Sequence, residues 1–181
     1  MLPITPLIIE HREIERLIAL MQKEGNRIKE DKLTDIDFID DCIDFMKTYA
    51  DRCHHGKEES ILFKELKSKK LTTDHLKVLK QLAKEHKNTN DVTFKLIDAR
   101  NNYSKSEDDA SKQIFAFEIH GYIEELIDFY PKHIIKEEKE FFLPCMEYFT
   151  DNEKKEMIDN FWEFDRKLIH EKYRKMLKKY E

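Results

Sequence analysis

A chain of 181 residues is long enough for one compact domain with a sizeable core, and its 39% charged and 40% apolar residues, mixed throughout, suit long helices with one wet and one dry face. Only 3 Gly and 4 Pro occur, too few for the turns of an all-β fold or for a disordered chain, so the class is all-α. The net charge of −5, with a basic cluster only in "EKYRKMLKK", gives a phosphate backbone little to attract it and argues against a nucleic-acid partner.

Three cysteines, Cys42, Cys53 and Cys145, lack the paired spacing of a disulfide scaffold or zinc knuckle and read as reduced thiols. No apolar run approaches the ~20 residues of a membrane span, and the N-terminus lacks the regions of a signal peptide. A soluble, cytoplasmic protein without a membrane partner is expected.

The first helix is expected to begin near Pro6 and run towards Gly25, with Leu7, Ile14, Ile18 and Met21 on its dry side and His11 on the same stripe. A second helix from about Thr34 to Leu66 has Ile36, Ile39, Ile43, Met46, Ala50 and Ile61 as dry positions, with His54 and Glu58 filling the gap before Ile61. A third follows "LTTDHL", capped by Thr72 or Thr73, and its stripe reads Leu76, Leu79, Leu82, His86, Thr93 and Ile97. The fourth carries Ile119, Tyr122, Leu126, Phe129, His133, Glu137 and Phe141, with Pro131 expected to kink it, and ends near Pro144. A shorter fifth helix, about Asn152 to Lys178, offers Phe161, Trp162, Phe164, Leu168 and Met176 to lie across the others, its lysine-rich end forming a solvated face. Short connections favour an up-down-up-down four-helix bundle over residues 1–150, with residues 151–181 packed on it as an additional C-terminal helix.

A weak two-fold echo runs through the bundle. Helices one and three each place one histidine on the dry stripe, and helices two and four each place a His-x-x-x-Glu pair there. Residues four apart on a helix project to nearly the same side, so His54 with Glu58 and His133 with Glu137 face inward together. A buried carboxylate or imidazole without a partner costs several kcal/mol, and four histidines with two glutamates need compensation that a pair of divalent metals can supply. Imidazole with carboxylate suits Fe, Mn or Zn; calcium would want oxygen alone.

The segments "IIEHREIERL", "YADRCHHGKEESILF", "LAKEHKNTND" and "YIEELIDFYPKHIIKEEKEFFLP" together resemble the hemerythrin-like (HHE cation-binding) domain family, over roughly residues 5 to 146. The resemblance implies a four-helix bundle around a non-haem di-iron centre of two iron ions, with His11, His54, Glu58, His86, His133 and Glu137 as ligands. One departure stands out. Hemerythrins proper have a second histidine one turn after the third-helix ligand, where this chain has Asn90. His55, one residue after His54, is the candidate replacement. Glu59 and Glu138 are expected to accept hydrogen bonds around the centre or to face solvent; Glu138 becomes a rival ligand if the helix winds differently after Pro131. His75, His120 and His170 lie off the pattern, and Cys53 reads as a small buried hydrophobe.

Five nitrogens and two carboxylates on two metals leave one open position, and stripes rich in Ile, Leu, Phe and Met surround it. The expected function is reversible binding of O₂ or a related small diatomic or peroxide ligand, for storage, delivery or sensing. The alternatives are a di-iron redox enzyme, reducing peroxide or NO or oxidising ferrous iron, and a metal-dependent regulatory module motivated by the fifth helix.

Overall fold

The computed structural model describes the backbone of residues 2–177 and the side chains of residues 2–168. Its elements are helical throughout the described residues: the first helix Ile4–Asp31, a second rod over residues 36–67, the third helix Thr73–Lys105, a fourth rod over residues 109–148, and the fifth helix Asp151–Leu177. The first four form the bundle, and the fifth packs against the second rod. His170, Met176 and the lysine-rich end of the fifth helix lie outside the described side chains.

Local chemistry sets the ends. Asp35, Thr72 and Asp108 cap the second, third and fourth rods by accepting from the backbone N–H three residues on, and Thr150 with Glu153 forms a reciprocal capping box before the fifth. The first helix does not stop at Gly25. It runs to Asp31 and closes on Lys32, whose left-handed φ of 59° lets its N–H donate to the Ile28 carbonyl at 2.9 Å. Gly25 is buried, and a Cβ there would meet Glu124 Oε1 at 3.3 Å, so this glycine serves close approach of the first and fourth helices.

The winding of two rods departs from expectation. Met46–His55 and Glu58–Leu62 of the second rod, and Lys136–Phe142 of the fourth, are π-helical. The buried positions of the second rod explain why. Met46, Ala50, His54, Glu58, Leu62 and Leu66 recur every fourth residue, and in an α-helix each such step overshoots a full turn by roughly 40°. The wider i→i+5 winding removes that drift and keeps His54 and Glu58 on one line. It also moves burial from the expected Ile61 to Leu62, which is fully buried. Pro131 sits inside the fourth rod without ending it; helical winding continues to Ile135 before it widens.

The core divides in two. Ile14, Met21, Ile39, Met46, Leu96 and Ile123 belong to one apolar cluster, and Leu7, Leu62, Phe63, Leu79, Phe141 and Phe161 to another. His11 falls between Leu7 and Ile14, and His54 with Glu58 between Ala50 and Leu62, so the polar constellation is a layer between two dry ones. Leu76, expected on the dry stripe, is exposed in the first turn of its helix, and Tyr122 is half-buried while Ile123 takes the core position. On the fifth helix Phe161 is buried and Trp162, expected to lie across the bundle, is 63% exposed.

The fifth helix reaches the second rod beside the histidines. A Cβ on Gly56 would lie 2.8 Å from Phe164 Cζ. In a free helix Gly→Ala is stabilising by about 1 kcal/mol. Gly56→Ala is therefore expected to forfeit that gain and to quicken hydrogen exchange along the fifth helix. A raised Tm with unaltered exchange would show that the ring does not need the missing side chain.

Candidate metal centre

Each bundle helix sends polar groups into the layer: His11 from the first, His54, His55 and Glu58 from the second, His86 from the third, His133 and Glu137 from the fourth. All seven are buried. The π winding of residues 46–55 lets both adjacent histidines turn inward, since neighbouring side chains diverge less than on an α-helix. His55 lies parallel to His86 with ring centroids 3.9 Å apart.

Two subsets emerge. The donor atoms of His55, His86 and His133 lie within 4.8 Å of one another, and so do those of His11, His54, Glu58 and Glu137. The carboxylates span both. Glu58 Oε1 is 3.6 Å from His54 Nε2, and its Oε2 is 3.3 Å from His86 Nε2. Glu137 Oε2 is 3.1 Å from His11 Nε2, and its Oε1 lies 3.2 Å from His133 Nε2 and 3.6 Å from His86 Nε2. Two ligands about 2.1 Å from a common cation, at right or tetrahedral angles, stand roughly 3.0 to 3.4 Å apart, and three of these five distances fall in that range.

Hydrogen bonding gives the same answer. The Nε2 atoms of His11, His54, His86 and His133, both nitrogens of His55, and all four oxygens of Glu58 and Glu137 are buried without a hydrogen-bond partner. At ~1–3 kcal/mol for each unsatisfied group, ten such atoms would cost about as much as a domain's whole stability, or more. Cations between them would offset that cost, so the donor set fits a metal site of imidazole and carboxylate ligands.

Behind the inward nitrogens runs a ring of carboxylates, each lent by the preceding helix in a closed cycle. Glu138 accepts from His11 Nδ1 at 2.8 Å, Glu10 from His54 Nδ1 at 2.9 Å, Glu59 from His86 Nδ1 at 2.8 Å and Glu85 from His133 Nδ1 at 2.8 Å. A carboxylate can only accept, so Nδ1 carries the hydrogen and the Nε2 lone pair is aimed into the centre. Cations back the ring: Arg12 holds Glu138, Lys57 holds Glu10 and Lys136 holds Glu85. His55 is the exception, its Nδ1 lying 4.0 Å from Asp51 Oδ1. Asn90 stays outside the cluster and donates to that same Asp51 at 2.9 Å.

Burial drives His54 down to about 4 and His55 well below its ordinary value, so both are neutral donors. Burial also opposes charge on His133, but Glu137 and Glu85 outweigh it and raise His133 to about 9. Burial and the repulsion of Glu137 push Glu58 well above the usual carboxylate range. Burial would raise Glu137 too, yet His133 and the other imidazoles hold it well below.

Glu59 and Glu138 are thus acceptors for His86 and His11, and the wider winding after Pro131 turns Glu138 to the outer ring. Glu10, Glu85, Lys57 and Lys136 were not legible from the His-x-x-x-Glu pairs. A signal existed: each lone histidine follows a glutamate, in Glu10-His11 and Glu85-His86, and each pair sits in His-x-x-Lys-Glu-Glu, at 54–59 and 133–138. Cys53 is half-buried in a polar setting, 3.3 Å from Asp165 Oδ1 and 3.6 Å from Lys57 Nζ, and burial pushes its thiol up to about 12. His75 hydrogen-bonds with the Tyr148 hydroxyl, and His120 sits beside Glu124.

Compared with known proteins, the chain matches the family described as hemerythrin HHE cation binding domain over residues 2–142. No curated protein matches the chain. No solved structure matches it either.

The proton on His133 competes with any cation at neutral pH, and the upward shift of Glu58 strengthens proton competition there. Both groups lie above their ordinary values, so their protons are lost as pH rises, and metal affinity rises with it. For one displaced proton the apparent affinity is expected to climb about tenfold per pH unit between pH ~6 and ~8, with protons released on loading. Titration of metal into weakly buffered protein checks this; affinity independent of pH would contradict the assignment of those protons.

Proposed function

Since the chain belongs to the hemerythrin HHE cation-binding domain family, we propose that its buried His/Glu layer holds two iron ions and that the protein binds O₂ or a related small oxidant reversibly, for storage, delivery or sensing. The observation carrying this reading is the three-to-two division of imidazoles around two carboxylates that each face both subsets. In it His55, His86 and His133 would hold one ion, His11 and His54 the other, and Glu58 and Glu137 would contribute to both.

A ferrous pair held there would supply electrons and a place for a small ligand to attach. The chain does the rest. The outer carboxylates hold the Nδ1 hydrogens, so His11 and His54 keep their rings fixed while charge at the centre changes. Phe142 stacks on His11 with centroids 5.7 Å apart, Phe63 on His86 at 5.7 Å and Phe129 on His133 at 5.0 Å. Of these walls, Phe142 stands on the two-histidine side, where it excludes water and offers no proton to a ligand. Binding without onward reduction follows from such dryness. The three free thiols and the absence, among the described residues, of a helix long and apolar enough to cross a membrane support a cytoplasmic setting.

One observation favours the redox alternative. A cleft of about 450 Å³ lined by Asp51, His55, Glu59, His86, Lys87 and Asn90 opens beside the three-histidine subset. Its acids and lysine could relay protons during reduction of peroxide or NO.

Anaerobic loading with Fe(II), metal analysis and exposure to air test the proposal. Two irons per chain and a visible band that appears in air and fades on purging are expected. Protein that takes up no iron would overturn it, and steady consumption of peroxide or NO would favour the redox alternative. His55→Ala is expected to lower iron content towards one per chain, while Asn90→Ala leaves two. Equal loss in both variants would contradict the role given to His55.

A further inference from the structure

The two-fold echo of the bundle breaks at one place. Lys57 and Lys136 each follow a metal-facing histidine by three residues, and each holds the glutamate that accepts from that histidine. Lys136 and Glu85 lie at the solvent edge, and among the described residues Lys136 forms its ion pair with Glu85 alone. Lys57 is fully buried. A second carboxylate reaches it from the fifth helix, with Asp165 Oδ1 at 2.8 Å and Oδ2 at 3.0 Å. Donor atoms of Glu10, Cys53 and Asp165 come within 4.8 Å of one another, a spacing suited to a cation, and the Lys57 ammonium already fills that role.

We propose that Asp165 is a positioning residue for the two-histidine ion, acting through Lys57 and Glu10 on the His54 ring. The inference rests on the two-metal reading above. Glu10 divides its charge between two donors: Oε1 accepts from Lys57, and Oε2 accepts from His54 Nδ1 at 2.9 Å. With Asp165 present, the ammonium is shared between two carboxylates and Glu10 keeps its strength as an acceptor for His54. Without that charge, the buried ammonium draws on Glu10 alone, the hydrogen bond to His54 weakens, and its Nε2 becomes a poorer donor. Among the described residues His133 has no such arm, so the effect falls on one ion of the two. Because coupling is reciprocal, loading that ion tightens the seat of the fifth helix.

The experiment uses the full chain, anaerobic Fe(II) titration, the visible spectrum in air, and hydrogen exchange across residues 157–168. Asp165→Asn is expected to weaken one of the two ions about tenfold, within the range seen when partners of metal-binding histidines are lost, and to shift the visible band. Asp165→Glu, which keeps the charge, should recover the affinity. Glu153→Gln is the control: it removes the Glu153–Lys69 ion pair and the cap at the start of the fifth helix without touching Lys57. It should quicken exchange there and leave both ions bound as before. Equal binding and spectrum in Asp165→Asn would overturn the inference while leaving the two-metal reading intact, and so would a matching loss in Glu153→Gln. An unaltered chain that binds no metal would overturn both.

Discussion

Two carboxylates, Glu58 and Glu137, lie in a dry layer facing five imidazoles, and the rest of the molecule is arranged to make that tolerable. In a low-dielectric interior the two acids cannot both ionise unaided. Burial and mutual repulsion push Glu58 towards its protonated form, while the imidazoles pull Glu137 towards its charged form. The unsatisfied atoms converge from four helices, so the strain of leaving them unpaired is shared by the whole bundle. Metal binding would relieve them together, which would make metal binding and folding one equilibrium.

The two flanking apolar clusters give the layer its rigidity, and the outer ring gives it direction. Each helix lends a carboxylate to the histidine of the next, in the order first to second, second to third, third to fourth and fourth to first. This cycle fixes the helices relative to one another through the groups that fix the tautomers. A small rotation of one helix would misplace both its own inward nitrogen and its neighbour's acceptor. Precision at the centre is thus a property of the bundle's register and not of any one helix.

Departures from the two-fold echo carry the individuality of this chain. His55 has Ile134 as its counterpart on the fourth rod, and it provides the fifth imidazole on the side where the third helix offers Asn90. Asp51 and Asn90 then line an open cleft instead of completing the layer. On the other side the fifth helix, beyond the span that matches the family, closes over Lys57. One flank of the layer is therefore wet and the other braced.

The sequence by itself determined the all-α class, the four rods, and six polar residues on their dry stripes, with His55 only a candidate beside them, because helical periodicity and the cost of burying charge are local rules. It misjudged the stripe where the period was not 3.6: Ile61 was favoured over Leu62 because π winding is set by what the core requires of His54 and Glu58 jointly. The ends of helices were partly legible, as at Thr72, but Gly25 was misread as a stop because its reason, the nearness of the fourth helix, is not local. Only the tertiary structure decided which glutamate serves which histidine, how the imidazoles divide, and that Asp165 meets Lys57 across 108 positions of chain. Those pairings depend on the relative register of separate helices, and no spacing within one helix encodes it.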